Sequence, residues 1–161
     1  MNASYLVLVG RIRQDLNDLA HVINRAQRAG RVARTSQEDA DLYVDAAALN
    51  LHDFYTGLER LFYQITLTVD GSAPASQEWH RDLLRQMCID IPGLRPRVLS
   101  SELCAALDEF MRFRHVVRNV YAFNLDSARV AQLVDEANGL IIRLTAEMQR
   151  FADFLEQTGQ E

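Results

Sequence analysis

Residues Arg112–Tyr121, which read RFRHVVRNVY, carry the side chains of this chain that are best suited to chemistry. Wound as an α-helix at about 100° per residue, the segment divides into two arcs. One arc is apolar and is predicted to pack against a core: Phe113, Val116, Val117 and Val120. The other arc is polar: Arg112, Arg114, His115, Arg118, Asn119 and Tyr121. It combines guanidinium forks, which bind phosphates and carboxylates, with an imidazole that can move protons near neutral pH.

The polar arc has no counter-charge in its own segment. No Asp or Glu occurs between Met111 and Leu125, whereas a solvated helix face usually mixes carboxylates with its cations. Arginine forks without acidic neighbours predict an anion-binding surface. The alternative is that an Asp or Glu from another helix neutralises the arc, and spacing alone favours neither.

Other polar groups are assigned to ordinary positions. Asp18-x-x-His21 comes nearest to the paired Glu-x-x-His motifs of di-iron bundles, but it stands alone and has the wrong carboxylate. His52 and His80 are isolated and are predicted to be surface or capping histidines. Gly57 is interpreted as a helix-packing glycine, with the close approach of a ligand as the alternative. We therefore expect neither a metal nor a cofactor.

Composition limits the class of protein. The chain has 161 residues, 48% of them apolar, a net charge of −5, and 17 basic residues that are all arginine. We expect one domain over residues 1–161, and neither a generic nucleic-acid coat nor a basic membrane binder. The sequence shows no signal peptide and no membrane span, so a cytoplasmic protein is expected. Cys88 and Cys104 show no motif spacing and are expected to be free thiols in a reducing compartment.

Helical periodicity dominates the chain and strand signals are nearly absent. The predicted fold class is all-α, an antiparallel bundle of four long helices and one short helix. The predicted helices cover about residues 4–29, 36–69, 76–89, 101–123 and 127–157. Gly30 is expected to stop the first helix and Asp126 to cap the last one.

With these elements in place, the chain resembles the HEPN family of ribonuclease toxins, in the branch encoded beside minimal nucleotidyltransferase antitoxins. The family signature is an Arg followed by four to six residues and a His, often Arg-x4-His-x-Tyr in the toxin branch. The run from Arg114 to Tyr121 matches it, with Asn119 in the place of the motif His. Further matching segments cover most of the chain: residues 51–60, Trp79-His80 with Leu83-Leu84, and Leu125-Asp126.

The resemblance implies a metal-independent endoribonuclease. In the family the Arg, here Arg114, holds the scissile phosphate, and the His moves protons while the RNA 2′-OH attacks. Asn119 cannot take that part, because an amide is neither an acid nor a base near pH 7. His115 could substitute, with Arg112 or Arg118 orienting the phosphate. Otherwise the site binds RNA or a nucleotide without cleaving it.

The resemblance also implies partners. In related pairs the nucleotidyltransferase antitoxin adenylylates the motif Tyr, which makes Tyr121 the candidate acceptor. HEPN proteins commonly form two-fold dimers, so a homodimer with both motifs facing one cleft is expected. Three functions stay open: a toxin that cleaves RNA with reduced or altered activity, a silent subunit that binds a nucleotidyltransferase or a nucleotide, and a helical interaction domain.

Overall fold

A computed structural model describes residues 1–121 and 124–161 of the chain. It contains five α-helices: α1 (Ala3–Thr35), α2 (Ala40–Ile65), α3 (Trp79–Met87), α4 (Ser101–Asn119) and α5 (Ser127–Gln160). No strand occurs among the described residues, so the predicted all-α class, with four long helices and one short one, is confirmed. None of the helices in these two ranges has the length and apolarity needed to cross a membrane.

Contacts between side chains define the directions of the helices. Arg25 Nε donates to Asn50 Oδ1 at 3.3 Å, near the turn that joins α1 to α2. Farther from that turn, Arg11 Nη1 donates to Gln64 Oε1 at 3.0 Å, so the two helices are antiparallel. α5 is antiparallel to both α1 and α4. α2 and α4 run in the same direction, because α3 and its flanking loops return the chain before α4 begins.

Charged residues occupy two core positions where α2 packs on α4. The buried stripe of α4 has members four, three and four positions apart: Leu103, Leu107, Phe110 and Arg114. The corresponding stripe of α2 contains Tyr55, Glu59 and Phe62. This spacing is that of a core-facing helix side, so Arg114 and Glu59 stand where apolar residues are normal.

Gly30 does not stop α1 as predicted, since the helix continues to Thr35. A Cβ at Gly30 would lie 2.8 Å from Val134 Cγ1 of α5. Gly30 therefore permits a close approach of two helices instead of ending one. The predicted cap of α5 is confirmed, because Asp126 Oδ1 accepts from the Ala128 amide at 3.0 Å.

The connection between α3 and α4 is held at two points. Cys88, at the end of α3, forms a disulfide with Cys104 in the first turns of α4, so the expectation of two free thiols is wrong. Arg95 in the connecting loop donates twice to the buried Asp70 carboxylate, from Nε to Oδ1 at 2.6 Å and from Nη2 to Oδ2 at 2.8 Å. Arg95 Nη2 also donates to the Gln86 carbonyl oxygen of α3 at 3.1 Å, so both links hold α3, and with it His80, against the rest of the bundle.

Candidate functional site

Arg114 lies inside the bundle and not on an open surface. The residue is 4% exposed, and its Nη1 donates to Glu59 Oε1 of α2 at 3.3 Å. Of the two alternatives that spacing left open, an uncompensated arc does not apply at Arg114. The alternative left open, a carboxylate from another helix, is what the structure shows. The Nε of Arg114 is buried and makes no hydrogen bond among the described residues.

The other two arginines of the arc differ from each other. Arg112 Nε lies 2.8 Å from Asp108 Oδ2, one turn earlier in α4 and just outside the stretch that lacks acidic residues. Arg118 is exposed and has no carboxylate within ion-pair distance in the described part of the chain. Among the described residues, Arg118 is thus the cation of the arc that has no carboxylate partner and stays available to an anion.

The buried side of α4 is rotated from the predicted one. Phe113 is buried as expected, but Val116 is 49% exposed and Val120 is exposed as well. The inward stripe runs from Phe110 through Arg114 to the partly buried Val117, which leaves Val116 and Val120 on the outer side of the helix. The prediction of a wholly packed apolar arc is therefore wrong in its second half.

His80 is not the surface or capping histidine that was predicted. Its Nδ1 lies 2.6 Å from Glu59 Oε2, and its side chain is 16% exposed. Its ring stacks on the Trp79 ring with centroids 3.6 Å apart, and Arg114 Nη2 lies 3.5 Å from Nδ1. Glu59, which no sequence motif singled out, thus contacts both His80 and Arg114.

Glu59 could have been found from the sequence, because it falls on the buried stripe of α2. A carboxylate at a core position requires a partner, which a search for charged residues within apolar stripes would have sought. The neighbouring Tyr55 is fully buried, and this burial raises the pKa of its hydroxyl, with Glu59 adding to the effect. The surroundings of Glu59 are therefore shielded from water.

His115 joins this group from the next position of α4. Its ring meets the His80 ring edge to face, with centroids 5.2 Å apart. Partial burial lowers the pKa of His115 below its ordinary value of 6.5, and the charge of Arg114 lowers it further. His80 and Arg118 act in the same direction, and Glu59 opposes them. These surroundings of His115 therefore favour the neutral, proton-accepting form of its imidazole.

Asn119 and Tyr121 lie at the end of α4. Asn119 Nδ2 donates to the His115 carbonyl oxygen at 2.7 Å, so the amide bonds to its own helix. Val120 is extended, and Tyr121 follows outside the helix with 75% of its surface exposed. The prediction that Tyr121 shares the helical arc of Arg114 is wrong for this reason. The helix was predicted to run to about Phe123, which lies outside the described residues, but α4 ends at Asn119.

A groove of about 1110 Å³ adjoins the site between α1, α2 and the segment before α3. Trp79 and Glu59 contribute to its wall, which otherwise carries Arg11 and Arg60 against three aspartates: Asp15, Asp18 and Asp53. Because carboxylates outnumber arginines there, the groove does not suit a polyanion. Among the described residues, no three His, Cys, Asp or Glu side chains gather closely enough to hold a metal ion.

The fold is an all-α bundle, and comparison with known families gives its class. The HepT-like protein family matches residues 46–155, from α2 into α5. The chain therefore belongs to the HepT-like protein family, which is HEPN-type and associated with toxin–antitoxin pairs. The match includes Glu59, His80, Arg114 and His115. No curated protein and no solved structure gives a significant match.

Proposed function

We propose that this protein is the toxin of a toxin–antitoxin pair and a metal-independent endoribonuclease. Membership of the HepT-like family supports the toxin–antitoxin setting. The observation that carries the catalytic part is the position of His115, a partly exposed imidazole between Arg114 and the exposed Arg118. A neutral imidazole beside a free cation is what attack by an RNA 2′-OH on its own phosphate requires.

The roles follow from burial and charge. His115 takes the proton from the 2′-OH, and Arg118 makes the first contact with the scissile phosphate. The family resemblance makes Arg114 the phosphate ligand. Its guanidinium is bound to Glu59 inside the bundle, so Arg114 contributes positive electrostatic potential to the site from a buried position. Arg112 is exposed and forms an ion pair with Asp108. Asn119 transfers no proton, because it is an amide.

A second function is favoured by two of the same observations. Arg114 is neutralised by Glu59, and an amide occupies the place of the motif His. Both suit a catalytically silent subunit that binds a nucleotidyltransferase antitoxin or a nucleotide. In either function the exposed Tyr121 is the proposed acceptor for adenylylation by that partner. We further propose that the protein acts in the cytoplasm as a homodimer.

RNA cleavage in the presence of EDTA tests the two functions against each other. His115→Ala is expected to lose cleavage by about 10²–10⁴-fold, the range for a lost general base. Arg118→Ala is expected to weaken RNA binding and cleavage together. His21→Ala and Arg28→Ala, which replace exposed residues of α1, are matched controls that should retain activity. Absence of cleavage by the unmodified protein would support the silent subunit.

Asn119→His sharpens the comparison. If the natural protein is a degenerate enzyme, restoring the motif His should create or raise cleavage. If His115 already supplies the base, the gain should be small. Arg114→Ala is a poor test of catalysis, because it leaves Glu59 buried beside only one partner and lowers stability.

A further inference from the structure

His80 has surroundings that packing alone does not call for. Its Nδ1 contacts a carboxylate that is itself only 8% exposed, while the ring keeps part of its own surface open. The Trp79 ring lies on one side of it and the His115 ring meets it at 87°. The imidazole is therefore held in place from several sides and still reached from outside.

The contact with Glu59 determines where the proton on His80 is. A distance of 2.6 Å between Nδ1 and Oε2 requires an N–H at Nδ1 that donates to the carboxylate. Nε2 is then the nitrogen left to meet a ligand. A carboxylate that binds one ring nitrogen, and so fixes the orientation of the ring, is the arrangement by which enzymes position a histidine for proton transfer.

Glu59 is itself held in position. Its other oxygen accepts from Arg114 Nη1 at 3.3 Å, so the carboxylate cannot rotate away from His80 without losing a buried ion pair. A buried ion pair often contributes little to stability, because removing both charges from water is costly. A role in positioning His80 therefore gives a reason for an Arg and a Glu in the core. In this arrangement Arg114 is a positioning residue for His80.

We propose that His80 is the general acid of the RNA cleavage proposed above, and that His115 is its partner base. In the step, His115 removes the proton from the 2′-OH, and the 2′ oxygen forms a bond to phosphorus. The bond from phosphorus to the 5′ oxygen breaks, and Nε2–H of His80 gives its proton to that oxygen. The products are a 2′,3′-cyclic phosphate and a 5′-hydroxyl end, with atoms and charge balanced and no further reactant.

The juxtaposition of the two rings supports this division of labour. With centroids 5.2 Å apart, the two imidazoles are close enough for both to reach oxygens of one bound phosphate. The two rings also differ in their neighbours: His80 contacts a carboxylate at 2.6 Å and has Arg114 Nη2 farther away at 3.5 Å, whereas Arg114 and Arg118 both lower the pKa of His115. Paired groups in opposite electrostatic settings are how one site supplies both an acid and a base.

Two substrates with different leaving groups distinguish the loss of a general acid from the loss of a general base. One is an RNA dinucleotide, whose 5′ oxygen needs a proton to leave. The other is uridine 3′-(4-nitrophenyl phosphate), whose nitrophenolate leaves without one. Loss of His80 should slow dinucleotide cleavage by about 10²–10⁴-fold and affect the nitrophenyl ester by less than about tenfold. His115→Ala should slow both.

His80→Asn is the variant of choice. Its side-chain amide can still donate to Glu59 in place of Nδ1–H, so a merely structural role would be kept, while nothing replaces Nε2. His80→Ala tests the loss of both nitrogens, and His21→Asn is the matched control on α1. Circular dichroism and urea unfolding verify that each variant is folded.

The outcomes are distinct. Selective loss of dinucleotide cleavage in His80→Asn supports the inference. Dinucleotide cleavage at the unmodified rate, or equal loss on both substrates, overturns it while leaving the ribonuclease proposal in place. If the unmodified protein turns over neither substrate, the ribonuclease function itself fails and the assignment of His80 fails with it.

Discussion

At the scale of single residues, the site depends on one buried carboxylate, that of Glu59, which binds two partners. Glu59 accepts from Arg114 through one oxygen and from His80 through the other. Removing one partner of a buried pair leaves a charge without compensation and costs about 3–5 kcal/mol, whereas replacing both partners can cost little. Function and stability are therefore linked at Glu59.

A double-mutant cycle measures this link. Arg114→Met and Glu59→Gln should each lower the free energy of unfolding by about 3–5 kcal/mol, because each leaves a buried charge without its opposite. The double variant should lose much less than the sum, since Gln can still accept from His80 and no charge is left alone. Urea unfolding gives the values. Additivity within about 0.5 kcal/mol would contradict a direct ion pair.

The pKa of His115 is a second quantity at this scale. Burial, Arg114, His80 and Arg118 lower it below 6.5, and Glu59 alone opposes them. An NMR titration should therefore find His115 less than half protonated at a pH where a peptide histidine is half protonated, and Arg118→Gln should move its pKa upward. A value at or above 6.5 would contradict the described packing.

The sign of the corresponding stability change follows. Because the folded pKa of His115 lies below the unfolded one, the unfolded chain binds more protons in the window between the two values. The free energy of unfolding should therefore fall as the pH drops through 6.5 toward the folded pKa. His115→Gln should reduce that slope.

At the scale of elements, helical periodicity predicted five helices and the cap of the last one correctly. It misjudged the rotation of α4, because Arg114 was grouped with the polar residues although it extends the stripe of Leu107 and Phe110. The partners of Arg114 lie on α2 and α3, and separation along the chain does not reveal such contacts. The helical arc also failed at Tyr121, since α4 ends before it.

Two helical glycines provide a matched test of packing. A Cβ at Gly139 of α5 meets nothing within 4 Å, so Gly139→Ala should raise the free energy of unfolding by about 0.5–1 kcal/mol through helix propensity. A Cβ at Gly30 would lie 2.8 Å from Val134 Cγ1, so Gly30→Ala should lower it instead. Val134→Ala added to Gly30→Ala should relieve the clash. Equal stabilisation at both glycines would contradict the close approach of α1 and α5.

At the scale of the whole molecule, a net charge of −5 and an anion-binding site are compatible, because only one face needs to be cationic. The arginines of α4 are mostly compensated by Asp108 and Glu59, which leaves Arg118 as the exposed contact. Binding of RNA should therefore be local and selective. The composition predicted that the protein is not a generic nucleic-acid coat. The ion pairs of the α4 arginines with Asp108 and Glu59 became visible only in the packed structure.

The disulfide is a link on the same scale, because it closes a loop between α3 and α4. The two cysteines are 16 positions apart. A cross-link over a loop of that length raises the free energy of the unfolded chain by about 3 kcal/mol, because it reduces the entropy of the unfolded chain. Reduction should therefore lower the free energy of unfolding by roughly that amount. Urea unfolding with and without dithiothreitol measures the difference, and thiol titration should count no free thiol before reduction. Cys88→Ser combined with Cys104→Ser should be insensitive to the reductant.

In a reducing compartment the buried pair of Asp70 and Arg95 would still hold α3 in place, so the reduced protein should keep its helical content. Identical unfolding curves for the unmodified protein in both conditions would show that the thiols are free.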